Sequence, residues 1–116
     1  MKKAEDIFEF KKTDDGYTVT EYILRNDETV HYAEIPSEYK GVPVTEIGEA
    51  AFILVEYLTE ITIPEGIRKI GANAFSFCGL KSVRLPKSLK IIDNQAFSVC
   101  DDLEKVIFQS DDVKFG

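Results

Sequence analysis

The residues best suited to chemistry are few. Cys78 and Cys100 stand 22 residues apart, and the sole histidine, His31, lies well ahead of both. A thiol acts as a nucleophile once a base or cation lowers its pKa, so a cysteine enzyme would need His31 brought beside one of the two thiols. A spacing of 22 is neither the short step of a metal pair nor the cysteine density of a disulfide-framed domain. The pairs Asp14-Asp15, Asp101-Asp102 and Asp111-Asp112 lack the alternating acidic residues and central glycine of a calcium loop and read as solvated turns. No two carboxylates can be set across a cleft as glycoside hydrolysis requires. The expectation is a chain without catalytic, cofactor-binding or metal-binding residues, with an enzyme using a cysteine thiol as the remote alternative.

Composition narrows the remaining classes. At 116 residues the chain has the size of one domain, and 44% hydrophobic with 30% charged residues is globular usage. A net charge of -7 repels phosphate backbones, which argues against nucleic acid. The longest apolar pieces, such as Ala50 to Val55, fall far short of the roughly 18 to 20 residues that span a bilayer, so no membrane insertion is expected. Ala4-Glu5-Asp6 stands where a secretory signal would place its apolar core. The sequence as given therefore shows no signal peptide and reads as cytoplasmic, or as a domain of a longer exported protein.

What the chain does contain is a repeat. Ile47-Gly48-Glu49-Ala50-Ala51-Phe52 aligns with Ile70-Gly71-Ala72-Asn73-Ala74-Phe75 and with Ile92-Asp93-Asn94-Gln95-Ala96-Phe97, in steps of 23 and 22. Leu58, Leu80 and Leu103 share a second column, Ile61, Val83 and Val106 a third, and Ile63, Leu85 and Phe108 a fourth. Pro64 and Pro86 follow the fourth column, and Ile35-Pro36 begins the same phrase earlier, lengthened by five residues through Gly41-Val42-Pro43. Apolar positions two apart share one face of a strand, and proline ends it. A second extended piece, Ile67 to Ile70 or Leu89 to Ile92, runs back. Gly71 is then expected to supply a backbone conformation closed to other residues, with Asp93 tolerating it in the third unit, before Ala-Phe opens a compact or short helical turn. Units of this size cannot close a core alone, so they must stack as a solenoid, with Phe52, Phe75 and Phe97 one above the next.

The ends read as caps. Phe8-Glu9-Phe10 and Tyr17-Thr18-Val19 alternate around Thr13-Asp14-Asp15-Gly16, which predicts a β-hairpin. A turn at Asn26-Asp27-Glu28 leads into Thr29 to Ile35, completing a three-stranded meander. The expected layout is one domain over residues 1–116: an N-terminal β-hairpin/meander cap over 1–34, three coils over 35–108 and a polar tail over 109–116, too short for another coil. The last strand, Val106-Ile107-Phe108, leaves an edge that is either blunted by Asp111-Asp112 or completed by further coils or by self-association.

At these positions the sequence resembles the BspA-like leucine-rich repeats, whose unit carries Ile-Pro, Ile-Gly, Ala-Phe, Cys and Leu at the offsets seen here. The resemblance covers about residues 30–108 and is closest at Phe75-Ser76-Phe77-Cys78-Gly79-Leu80 and Phe97-Ser98-Val99-Cys100-Asp101-Asp102-Leu103. Two departures touch the turns: Val55 holds the cysteine position of the first unit, and the second unit has one residue fewer between Cys78 and Leu80. The resemblance implies a β-rich fold with short helical turns, a right-handed leucine-rich-repeat solenoid, usually part of a secreted or surface-attached bacterial protein that binds host or matrix proteins. It carries no catalytic residues.

Within that frame Cys78 and Cys100, at equivalent positions, read as a ladder of buried free thiols, with His31 held away in the cap. Inward columns are committed to the core, so a binding face must use the outward ones: Glu60, Ser82 and Lys105, then Thr62, Arg84 and Ile107. Tyr39 and Tyr57 add aromatic surface of the kind contact hot spots use. The expected function is a non-enzymatic protein-protein interaction module whose partner is another protein, with a structural spacer or terminal unit of a longer repeat or surface protein as the alternative.

Overall fold

The computed structural model describes residues 3–116. A single helical turn, α1 (Ala4–Ile7), leads into β1 (Phe8–Lys12), which pairs antiparallel with β2 (Tyr17–Tyr22). Their link is the turn expected at Thr13 to Gly16, closed by the Thr13 amide donating to the Gly16 carbonyl at 2.7 Å.

From β2 onward the repeat dictates parallel pairing, because each strand is joined to its partner through a full unit rather than a hairpin, the partners lying 22 or 23 residues apart, or about 28 where the insertion lengthens the first unit. β2 pairs with β5 (Val42–Ile47), β5 with β7 (Lys69–Ile70), β7 with β9 (Ile91–Ile92) and β9 with β11 (Lys114–Phe115). Val19, Ile47, Ile70, Ile92 and Phe115 fall into one column along that ladder. A second set of parallel pairs joins β3 (Tyr32–Glu34) to β6 (Glu60–Thr62) and β8 (Ser82–Leu85) to β10 (Lys105–Phe108). The five-residue insertion forms a small hairpin, β4 (Glu38–Tyr39) on β5, turning through Lys40 and Gly41 at φ 52° and 77°, the positive pair that two-residue hairpins favour.

The Ala-Phe segments make a third stack. Phe52, Phe75 and Phe97 lie one above the next, with centroids 5.0 and 5.2 Å apart and planes within 17°. Tyr22 continues the column into the cap at 5.2 Å from Phe52. Between coils the turn backbone bonds at alternate residues: the amides of Ala50, Phe52 and Leu54 donate to the carbonyls of Ala72, Ala74 and Ser76 at 2.7 to 3.0 Å. The equivalent carbonyls of the first coil take their donors from the cap. Tyr22 N–H reaches Ala51 O at 3.0 Å, and the Arg25 guanidinium donates to Ile53 O at 2.7 Å. Arg25 thus supplies the Ile53 carbonyl with the donor that the preceding coil supplies elsewhere in the stack.

Four expectations are corrected. The meander does not form: β2 joins one parallel stack and β3 the other, because the two extended pieces of each unit serve different faces and the cap must cover both. Residues 109–116 are not a free tail, since Lys114–Phe115 extends the first ladder and Gly116 N–H donates to Ile92 O at 2.8 Å. Of the two forms expected for the Ala-Phe segments the compact turn is the one that forms, and the short helix does not: they are successive turns with left-handed residues at Ala50, Asn73 and Gln95 and again at Leu54, Phe77 and Val99, at φ from 54° to 61°. Gly71 and Asp93 are outside that positive-φ set. Gly71 is needed for close approach instead: a Cβ there would sit 2.7 Å from Glu49 N and 2.8 Å from Gly48 C of the preceding coil.

Candidate functional site

Strand alternation sorts β6, β8 and their flanks into two faces. Ile61, Ile63, Val83 and Leu85 turn inward and are buried, while Glu60, Thr62 and Arg84 are exposed and Ser82 is half-buried. On β10, Lys105 is exposed and Ile107 half-buried, and Val106 and Phe108, though in inward columns, stay exposed because no later strand covers β10. All six outward residues read from the sequence come together around one cleft of about 350 Å³, between β6 and β8, with Ile61, Ile63 and Val83 behind them. The cleft lies where pairing is interrupted. β3 and β6 form one two-stranded sheet and β8 and β10 another, and the Lys81 amide meets Thr59 O at 3.0 Å just ahead of β6 and β8.

The same face continues onto β3, which the cap assignment left out. Tyr32 and Glu34 stand in register with Glu60 and Thr62, and Tyr32 Oη lies 2.7 Å from Thr62 Oγ1. The signal was present: Tyr32-Ala33-Glu34-Ile35-Pro36 has the phrasing of Glu60-Ile61-Thr62-Ile63-Pro64. The face is polarised by this addition, with Glu34 and Glu60 on one side and Arg84 and Lys105 on the other. Among the described residues, ion pairs form at Arg25–Glu21, Arg68–Asp15 and Lys69–Asp93, and none engages Arg84 or Lys105.

The two aromatic candidates separate. Tyr39 belongs to the cap's packing, stacked on Phe10 at 4.0 Å and edge-on to Tyr17 at 5.0 Å, so it is not an exposed contact residue. Tyr57 borders a different depression, together with Cys78. His31 is exposed, its Nδ1 2.9 Å from Tyr57 O.

The thiols are unbonded and adjacent, Cys78 buried and Cys100 half-buried. Their sulfurs lie 3.1 Å apart, and Cys100 Sγ is 2.9 Å from Phe75 O; neither bond involves His31. The hydrogen bond from Cys78 stabilises the Cys100 thiolate and lowers it to about 7, whereas the same bond, with burial, pushes Cys78 well above the usual thiol range. Of the coupled pair, Cys100 is the thiol that gives up its proton first, while burial and the Asp101 charge act against it. Iodoacetamide should therefore label Cys100 in the native chain with a rate that rises through about pH 7, and Cys78→Ala should move that rise upward. Peptide mass spectrometry reads both, and equal labelling of the two thiols at pH 7 would contradict the assignment.

The acidic pairs occupy separate turns, and Asp15 is engaged by Arg68 at 3.2 Å. Among the described residues no helix is long and apolar enough to cross a membrane.

Residues 17–116 match the BspA type Leucine rich repeat region, in six copies. The chain belongs to this family. The match takes in β2 and β11, which the sequence had assigned to cap and tail. A leucine-rich repeat protein from Bacteroides capillosus has the same fold in its crystal structure, at TM-score 0.71 and 30% identity over 95% of this chain and 94% of that one. The pneumococcal vaccine antigen PcpA superposes at TM-score 0.60 over 91% of this chain and 39% of its own, and at 20% identity that likeness is one of fold. Among curated proteins none matches. The BspA-type chain is thus a β-rich leucine-rich repeat protein of a kind found in bacteria, and such repeats generally serve as protein-interaction modules.

Proposed function

We propose that this BspA-type chain is a non-enzymatic protein-interaction module, a right-handed solenoid forming one domain over residues 1–116. Right-handedness is the rule for connections between parallel strands of one sheet. The binding face is the cleft of β6, β8 and β10 with β3 beside it. The observation that carries this reading is the convergence of Glu60, Thr62, Ser82, Arg84, Lys105 and Ile107 on one cleft, with Arg84 and Lys105 outside the ion pairs formed among the described residues. A protein presenting acidic groups toward Arg84 and Lys105 suits that end of the face.

The chain, immobilised and challenged with purified host matrix proteins, should retain one whose affinity falls roughly tenfold in the Arg84→Ala, Lys105→Ala double variant. Undiminished binding in a folded double variant removes this face. A second reading, self-association through the edge of β10, is supported by the exposure of Val106 and Phe108 and would show as a sedimentation coefficient that rises with concentration.

A further inference from the structure

The turn stack carries a second surface. Leu54, Phe77 and Val99 occupy equivalent positions of the three units, and all three are large, apolar and exposed, at 62%, 49% and 52%. All three also lie in the left-handed region, at φ 61°, 58° and 54°. That conformation favours glycine or asparagine and is least tolerant of a β-branched side chain such as valine. The neighbouring left-handed column does contain Asn73. Exposed apolar side chains add little to the core, so three in a row at strained positions serve neither packing nor backbone geometry. Inter-coil bonds hold their spacing: the Leu54 amide donates to Ser76 O at 2.9 Å, and the Phe77 amide to Ser98 O at 3.0 Å.

The stripe borders an open depression of about 740 Å³ whose other walls include Glu56, Asp101, Asp102 and Tyr57, with no lysine or arginine among its lining residues. None of these residues belongs to the β6–β8 cleft. An apolar stripe rimmed by three carboxylates selects for an occupant with large apolar side chains beside positive charge. A second copy of the chain is a poor match, since it would bring like acidic rims together on a molecule of net charge -7.

We propose that this depression docks a cationic segment of another protein, with apolar side chains seated on Leu54, Phe77 and Val99 and Lys or Arg beside Glu56, Asp101 and Asp102. The site is independent of the β6–β8 cleft.

The test uses the whole chain and a fluorescent synthetic peptide of Leu and Lys, read by anisotropy, against two controls in which Ser replaces Leu or Glu replaces Lys. The Leu/Lys peptide should bind, more weakly as salt rises, and both controls should fail. Phe77→Asn and Val99→Asn suit the left-handed backbone, so their melting temperatures should hold or rise while affinity falls roughly tenfold or more. Glu56→Gln with Asp101→Asn and Asp102→Asn should weaken binding and flatten its salt dependence, whereas Arg84→Ala with Lys105→Ala should leave it unchanged, separating this site from the cleft. The proposal is overturned by equal binding of the Ser-for-Leu peptide, by full affinity in the folded Asn variants, or by dimers in sedimentation that those variants dissolve.

Discussion

Phe75→Ala should lower the unfolding free energy by about 4 kcal/mol, within the roughly 3–5 kcal/mol range of buried Phe-to-Ala truncations. Phe75 is wholly buried and is the middle ring of its column, 5.0 Å from Phe52 and 5.2 Å from Phe97. The cost of such a truncation depends on whether neighbours can close into the space. Here they are held apart, because the Phe52 amide donates to Ala74 O and the Phe75 amide to Ala96 O, both at 2.7 Å. A domain of this size has only about 5–15 kcal/mol of stability, so the loss takes a large share of it. Phe97→Ala should cost less, since Phe97 is half-buried at the end of the column. Urea unfolding followed by circular dichroism compares the two, and equal losses would mean that stacking between coils is not what holds the spine together.

Gly79→Ala should be nearly as damaging, at about 3 kcal/mol, the upper end of overpacking effects. The link from the cysteine column to the leucine column has two residues in the first and third units, Glu56-Tyr57 and Asp101-Asp102, but only Gly79 in the second. The shortened link draws the backbone onto the preceding coil, where Gly79 N–H donates to Val55 O at 3.0 Å. A Cβ there would overlap the Glu56 carbonyl oxygen and sit 2.9 Å from its carbon. The obstacle is backbone rather than a flexible side chain, so the coils must part. Gly79 does not adopt a positive φ, and the penalty is therefore steric rather than conformational. Gly41→Ala is the contrast: φ is 77° but nothing lies within 4 Å of the new Cβ, so the cost is about 1 kcal/mol of backbone strain. Thermal or urea unfolding of the two variants separates the mechanisms, and a mild Gly79→Ala would show that the shortened link has slack.

Much of the geometry of the candidate site was legible in the sequence. The columns at Leu58, Ile61 and Ile63 fixed which residues of each strand face inward, and alternation then named Glu60, Thr62, Ser82, Arg84, Lys105 and Ile107 as outward neighbours. The Cys78 and Cys100 positions implied adjacent thiols because equivalent residues of successive units stack. Lys69-Ile70-Gly71 returns as Lys114-Phe115-Gly116, a trace of β11 that a search for isoleucine overlooks because phenylalanine fills the column.

Sequence by itself determined the repeat register and with it the columns led by Phe52, Leu58, Ile61 and Ile63 across the three units, since a fixed period forces like residues into like surroundings. Only the tertiary structure decided how the backbone crosses between columns: which turn residues become left-handed, where Gly71 and Gly79 let coils touch, and how β2, β3 and Arg25 close the first coil. Those choices depend on bonds and clearances between groups 22 to 29 residues apart, which no local pattern of side chains records.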